Sequence, residues 1–379
     1  MKRPHILHIT SNYPPTPCGI GDYTQKLASE LERNNLKVSV LTRNQGTKSE
    51  DRFDVIKPVS GWNLFYTRQL WRAIEELAPD IIHLQYEPMS FRESFSLPLA
   101  LGVSKIPVVS TVHEVGEKNN LQELRDGFFY DRCKHLIVND QGCFERLLKF
   151  RKSTENRLTK IGVGSGILSF PEWSLEKYEF RRESREPFKL AYFGFFSESK
   201  GTEFLLRAVH LLNYQFKEEI RLVMVGAFFP QYNRYHKRLV QLTQELNLEK
   251  YVTFTGQLPE KDASQIIANC DLAVLPFSDG ASPRRSSLQA CLGLKMPVIT
   301  TKGIYHDEAF VENKTAIFLP HLTSDELVRN ILAIIREPVI LQNLSCGADV
   351  FRENFTWTAI AEKHCAIYRQ VLSQAARGL

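Results

Sequence analysis

Short apolar runs alternate with amphipathic segments along the whole chain, and this alternation constrains the fold more than any other feature. In the first half the runs are Ile6–Thr10, Val38–Thr42, Asp54–Val59, Ile81–Leu84, Val108–Val112 and Leu136–Val138. In the second they are Leu190–Phe193, Leu222–Val225, Val252–Phe254, Leu272–Leu275, Val298–Thr301 and Ala316–Leu319. Between them lie amphipathic stretches such as Tyr23–Glu32, Thr67–Leu77, Thr202–Leu212, Tyr235–Leu246 and Glu260–Ala268. A strand buried on both faces reads as such an unbroken apolar run. Strand–helix alternation predicts an α/β protein with parallel sheets and right-handed crossovers. The 379 residues suit two domains, at roughly 100–200 residues each, and 43% hydrophobic residues suffice for two cores. Phe170–Phe188 is rich in charge and lacks a clear strand, which predicts a boundary there. The expected division is 1–182, 183–355 and a tail, 356–379, holding the amphipathic helix Trp357–Leu372.

Several classes are disfavoured. The net charge of +5 is too weak to argue for nucleic acid, but it is compatible with an anionic substrate or membrane face. No apolar stretch approaches the roughly 18–20 residues of a spanning helix. The basic start, MKRPHILHIT, has a short apolar part that runs into Ser11-Asn12-Tyr13-Pro14-Pro15, and reads as a first strand rather than a signal peptide. The seven cysteines are scattered and form no CxxC pair, so neither a zinc site nor a disulfide framework is indicated. A reducing, cytoplasmic setting is expected.

The chemistry-bearing residues gather where runs end. After Leu272–Pro276 comes a polar loop with Asp279, Gly280, Ser282, Arg284 and Arg285, then a helix-like segment opening at Ser286-Ser287. A loop between a strand's carboxyl end and a helix's amino end is where α/β sheets bind ligands, and exposed amides there favour anions. Two adjacent arginines suit phosphate, or equally a solvated helix start. The first junction carries Gly19-Ile20-Gly21-Asp22-Tyr23-Thr24. Its glycines permit close backbone approach or positive φ, with a helix expected from near Asp22; the pattern fits a diphosphate seat or a plain tight turn. It is not a GxGxxG fingerprint, so a nicotinamide cofactor is not indicated. Asp80-Ile-Ile-His83-Leu-Gln85-Tyr86-Glu87 and Ser110-Thr111-Val112-His113 both end strands in polar groups. His113 stands at the very end of its strand, within reach of a ligand, whereas His83 precedes the end and reads as structural. Gly194 to Lys200-Gly201 joins a strand to a helix, and a lysine at a helix start opposes the dipole unless a phosphate is bound there. Val225-Gly226-Ala227 and Val252–Gly256 are further strand ends with glycine turns.

In order and spacing these residues resemble the retaining GT-B glycosyltransferases of family 4, over nearly the whole chain. The matching elements are the early glycine loop at Gly19-Ile20-Gly21, a D-hydrophobic-hydrophobic-H strand at Asp80–His83 and a T-hydrophobic-H end at Thr111–His113. They continue with a G…K-G loop from Gly194 to Lys200-Gly201, a V-x-F-x-G strand at Val252–Gly256 and the strand Cys270–Pro276. The resemblance implies two Rossmann-like domains facing a cleft, the last helix crossing back to the first domain, and metal-independent sugar transfer from a UDP- or GDP-sugar. No separate cofactor is implied. His113, Lys200 and Arg284 would be the catalytic groups. Gly19, Gly21, Gly194, Gly226, Asp279, Gly280, Ser282, Arg285, Ser286 and Ser287 would join Lys200 and Arg284 in holding the donor. Asp22, Tyr23, Gln85, Tyr86 and Glu87 would lie on the acceptor side. Positive groups would stabilise the charge growing on the leaving diphosphate, and that phosphate would take the acceptor's proton, so no carboxylate pair is required.

The chain departs from the family at two places. The family arginine of the first phosphate loop falls near Phe195. The two family glutamates fall on Ser282 and Ala290, with Gln289 the nearby polar residue. Arg284 and Arg285 are candidates to replace the arginine, in a loop resembling an Asp-Gly-x-Ser-x-Arg-Arg subgroup. The acceptor is expected to be a glycan, a lipid-linked glycan or a small molecule. The basic stretch Phe144–Lys152 fits an anionic membrane surface or a solvated helix face, and Trp62, Phe65 and Trp71 fit lipid, acceptor or core. Alternatives on the same scaffold are a non-catalytic nucleotide-sugar binder and an isomerase or phosphorylase.

Overall fold

The structure is a computed structural model that describes residues 3–16, 18–43, 53–57, 61–88, 91, 96–116, 120–165, 171–305 and 307–378. Of the residues in the runs and motifs singled out above, Met1, Lys2, Pro58, Val59 and Phe170 lie outside this set. The chain forms two compact units, residues 1–164 with 356–379, and residues 165–355.

The first unit contains β1 (His5–Ile9), α1 (Gly19–Arg33), β2 (Lys37–Leu41), β3 (Asp54–Ile56), α2 (Thr67–Leu77), β4 (Ile81–Tyr86) and α3 (Ser96–Gly102). It continues with β5 (Val108–Val112), α4 (Asn120–Arg132), β6 (His135–Val138), α5 (Gln141–Phe150) and β7 (Leu158–Lys160). The second unit contains α6 (Leu175–Glu183), β8 (Phe188–Phe193), α7 (Thr202–His210), β9 (Ile220–Val225), α8 (Arg234–Glu245), β10 (Val252–Phe254) and α9 (Glu260–Ala268). Then follow β11 (Leu272–Leu275), α10 (Ser286–Gly293), β12 (Val298–Thr301), β13 (Ile317–Leu319), α11 (Ser324–Arg336) and α12 (Val339–Arg352). The last helix, α13 (Trp357–Ala376), belongs to the first unit.

Both sheets are parallel throughout, in the orders β3-β2-β1-β4-β5-β6-β7 and β10-β9-β8-β11-β12-β13. Each therefore has a switch point where the order reverses, at β1/β4 and at β8/β11. Ligands in such sheets lie beyond the carboxyl ends of the strands at that point. The central strands are buried along their length, as expected when helices cover both faces.

Alternation along the strands separates the first unit's two faces. Leu7, Ile9, Ile82, Leu84, Tyr86, Val108 and Val112 point to one core, shared with α2 to α5. Ile6, Ile81, Val109 and Ile137 point to the other, under α1 and α13. Helix α13 offers Ile360, His364, Ile367, Tyr368 and Val371 to this second core, a stripe at helical spacing.

The expected boundary at 182/183 is corrected to Gly164/Ser165. The charged stretch is not a spacer but a docked part of the second unit. Trp173 and Tyr178 are buried in that unit's core, and the Trp173 amide donates to the Leu294 carbonyl at 2.8 Å. The charges are used in ion pairs: Arg181 with the buried Asp271, and Glu172 with both Arg352 (2.6 Å) and Lys295 (3.0 Å). Burial pushes the Asp271 carboxyl up, and Arg181 and the Lys189 amide oppose that shift.

Helix α1 also begins earlier than expected, at Gly19 rather than near Asp22. Neither Gly19 nor Gly21 has positive φ. Gly21 is needed for proximity, because a Cβ there would stand 2.9 Å from the Asn12 carbonyl oxygen.

Candidate functional site

In the second unit the loops that follow β8 and β11 meet at the switch point. The Ser278 amide and hydroxyl both donate to the Ser199 carbonyl, at 2.9 and 3.1 Å. Gly201 lets the first loop press on the second, and Gly226 closes against the carbonyl of Gly194. Lys200 and Arg285 are thereby brought to one buried ring: Lys200 Nζ lies 4.9 Å from the Phe277 centroid and Arg285 Cζ lies 4.7 Å from it. Asp279 pairs with Arg285, and its other oxygen lies 3.6 Å from Arg284 Nη2. Among the described residues, three cations thus gather around one carboxylate. Burial lowers the Lys200 ammonium to about 8, with Arg285 and Arg284 adding to the shift and Asp279 opposing it. A cluster that makes its own lysine reluctant to hold a proton is stabilised by an incoming anion.

The other second-unit residues expected to hold the donor lie in and beside these loops. The Ser282 hydroxyl accepts the Arg284 amide at 3.3 Å. Ser286 and Ser287 open α10, and Ser287 borders Gly194. Gly280 is buried beside Gly303. Ala290 is buried, and the Gln289 side chain donates to the Pro283 carbonyl at 3.2 Å, which fixes the loop. Phe195, at the family arginine's place, is exposed, and Arg285 shares the Phe277 ring with Lys200. Sequence reasoning missed Phe277, the ring beneath both cations, although the apolar run visibly continues past Pro276. It also missed a hollow of about 110 Å³ beyond Ala281, lined by Lys302, Tyr305, Asp307 and Glu312 over Phe310 and Phe318.

In the first unit, four residues expected near the ligand lie on one buried polar stripe or behind it. His113 is half-buried at the end of β5, and its amide extends the ladder to the Tyr86 carbonyl at 2.8 Å. Gln85 is fully buried, which corrects its expected acceptor contact. Its amide bridges His113 Nε2 (2.9 Å) and His8 Nδ1 (3.1 Å). Tyr86 is likewise buried, on the opposite face, where its hydroxyl donates to Asp126 at 2.6 Å and accepts from Arg125 at 2.7 Å. Tyr23 is buried with its ring edge-on to His113, centroids 5.2 Å apart, and its hydroxyl 3.3 Å from His364 Nε2. Asp22 is exposed and Glu87 half-buried, so these two remain at the surface. His83 is structural: Tyr368 and Thr111 hold its two nitrogens, at 2.5 and 2.8 Å. Burial lowers His8 to about 3 and His364 to about 4, so both rings are neutral at pH 7.

The aromatic and basic candidates divide. Trp62 is core, 5.3 Å from Phe91, whereas Phe65 is 88% exposed. On and after α5, Lys149 and Lys152 are exposed, but Arg146 donates to Cys143 Sγ and Arg151 packs onto Gly127 and Phe150. The basic patch is thinner than the sequence suggests.

Known proteins are similar to this chain in sequence and fold. Residues 17–163 match the family described as Glycosyltransferase Family 4, and residues 176–348 match Glycosyl transferases group 1. An uncharacterised glycosyltransferase of Methanocaldococcus jannaschii is 24% identical over 200 residues, 52% of this chain and 49% of that protein. The match thus spans about half the length of that relative. A D-inositol 3-phosphate glycosyltransferase of Corynebacterium diphtheriae is 21% identical over 394 residues, covering 92% of this chain and 89% of that one. Among solved structures, HepE of Anabaena in complex with UDP and glucose has a TM-score of 0.76 at 16% identity, covering 97% of this chain and 100% of that one. With one family matched across the first sheet and the other across the second, the chain belongs to the GT-B glycosyltransferases of family 4 and is a transferase enzyme.

Proposed function

We propose that this transferase takes its sugar from a nucleoside-diphosphate sugar whose diphosphate is held by Lys200, Arg284 and Arg285. The observation that carries the reading is the gathering of these cations around Phe277 and Asp279, at the switch point of the second sheet. The solved HepE complex contains UDP and glucose, which supports a UDP-sugar here. The sugar's C1–O bond to the diphosphate breaks, and a bond from the acceptor oxygen to C1 forms on the same face, so configuration is retained. The acceptor's proton passes to the departing phosphate oxygen. Lys200 and the arginines meet the charge that grows there, so the chain itself supplies the countercharge and neither a metal nor a cofactor is invoked. His113, half-exposed at the end of β5, is assigned a contact to the transferred sugar, and the exposed Asp22 and the half-buried Glu87 are assigned to the acceptor side.

A panel of UDP-, GDP- and ADP-sugars tests the donor assignment by thermal shift. A ligand at a hundred times its Kd stabilises the folded state by about 2.7 kcal/mol, so one nucleotide class should raise the midpoint by several degrees. No shift with any of them would remove the reading. The anomeric configuration of the product tests retention.

The acceptor is proposed to be a glycan carried on a lipid, with the enzyme resting on the membrane surface. Exposed Leu64 and Phe65 at the head of α2, followed by exposed Arg68 and Arg72, support this. Among the described residues no single helix is long and apolar enough to cross a membrane. Flotation with anionic and neutral liposomes at low salt should carry more protein on the anionic ones. Equal recovery would sink the membrane proposal.

A further inference from the structure

One stripe of the first unit's sheet is polar where burial should favour apolar side chains. His8 on β1, His83 and Gln85 on β4, and Thr111 on β5 are all fully buried, with Asn139 buried just beyond β6. Strand alternation puts them on the α1/α13 side, in line with Ile6, Ile81, Val109 and Ile137 of that core. The register sets His8 opposite His83 and Gln85 opposite Thr111. Tyr23 from α1, and His364 and Tyr368 from α13, close the stripe from above. Buried polar groups cost stability unless satisfied, and a satisfied network enforces one arrangement. The stripe ends at His113, its one half-exposed imidazole.

We infer that Gln85 is a positioning residue, whose side-chain amide fixes which ring nitrogen of His113 carries the proton by tying it to the buried His8. An amide oxygen only accepts and an amide nitrogen only donates. With the oxygen toward His113, as the structure has it, His113 Nε2 donates and Nδ1 of the neutral ring carries the lone pair. The amide nitrogen then donates to His8 Nδ1, which puts the His8 proton on Nε2. Turning the amide over would exchange both assignments together, so the two tautomers are coupled in either orientation. His8 Nε2 is buried and meets no hydrogen-bond partner among the described residues, so nothing else there competes to set its proton. The backbone around His113 is also fixed, its carbonyl lying 3.9 Å from the Cys143 thiol. The nitrogen on which an imidazole bears its proton is set by the bond its other nitrogen makes. Among the described residues, Gln85 therefore sets which nitrogen His113 presents at the sheet edge.

The consequence for turnover rests on the proposed sugar contact of His113, but the tautomer does not, and the test separates them. Protein labelled with 15N-histidine is studied by long-range proton–nitrogen correlation at pH 7.5, with the His113 and His8 signals assigned from His113→Gln and His8→Asn. Wild type should show one tautomer at each ring. Gln85→Leu should give a mixture at His113. Gln85→Glu keeps the acceptor but removes the donor; it should leave the His113 proton on Nε2 and move the His8 proton to Nδ1, and it serves if the leucine variant does not fold. Unchanged tautomers at both rings in the folded variants would overturn the inference. Slow hydrolysis of UDP-glucose is the second readout, expected to fall in Gln85→Leu by about tenfold, with KM nearly constant, as when partners that orient a histidine are removed. Mixed tautomers with unchanged hydrolysis would uphold the role of Gln85 and remove His113 from the proposed chemistry.

Discussion

Lys200→Ala should weaken donor binding by about 1–3 kcal/mol, the scale for a charge-assisted hydrogen bond, without lowering the thermal midpoint of the free protein. Lys200 is held to about 8 in the folded chain, chiefly by burial and then by Arg285. Its ordinary value is higher, so between the two the unfolded chain binds the proton that the folded chain has released. The charged ammonium is therefore a burden on the folded state below pH 8, relieved as pH rises through 8. Removing it should leave stability at pH 7 unchanged or increased. Binding runs the other way, because the diphosphate needs the ammonium. Wild-type donor affinity should be level below pH 8 and decline above it, while Lys200→Ala should show little of this decline. Isothermal titration at pH 7, 8 and 9 reads both. Arg284→Ala should weaken binding on the same scale but keep the pH dependence. Unchanged affinity in both variants would refute the donor site.

Gly201→Ala should be the most damaging single methyl in the second unit, costing about 2–4 kcal/mol. The residue sits at φ +63°, and a Cβ there would stand 2.0 Å from the Pro276 carbonyl oxygen. That oxygen is backbone and cannot turn aside, so the loop carrying Ser278, Asp279 and the arginines must move. Gly256 is the control, with φ +71° and nothing within 4 Å of its Cβ position. Gly256→Ala should lose only the left-handed penalty, about 1 kcal/mol. Denaturant unfolding measures both. Donor affinity should fall in Gly201→Ala and not in Gly256→Ala, because only the first separates Lys200 from Phe277. Equal costs would mean that backbone conformation, not the loop contact, is what Gly201 serves.

Much of the fold was legible because parallel strands buried on both faces leave unbroken apolar runs, and of the strands described only β7, the edge strand Leu158–Lys160, was not among those runs. The loop proposed to hold the donor stood out because Arg284 and Arg285 follow an apolar run and precede a helix. What escaped depended on contacts distant in sequence. Gln85 and Tyr86 look like an exposed strand end when β4 is read alone. They are buried because α4 covers one face, and because α13, nearly the whole chain away, closes the other. Helix α6 was hidden because charged residues dominate it; Tyr178 is its one buried residue, and Arg181 turns to Asp271. Helix α1 was read as starting late because two glycines suggest a loop, whereas Gly21 is there to let the helix approach the Asn12 carbonyl.

The return of α13 to the first unit also sets an order of events during synthesis. A ribosome releases residues 1–164 long before Tyr368 exists to meet His83, or His364 to meet Tyr23. Until then the polar stripe has no lid, and its histidines remain open to water. The second unit is continuous in sequence and can close its own core while the first still waits. The half that emerges first is thus the half completed last, and the histidine network can take its final arrangement only once the far end of the chain has left the exit tunnel.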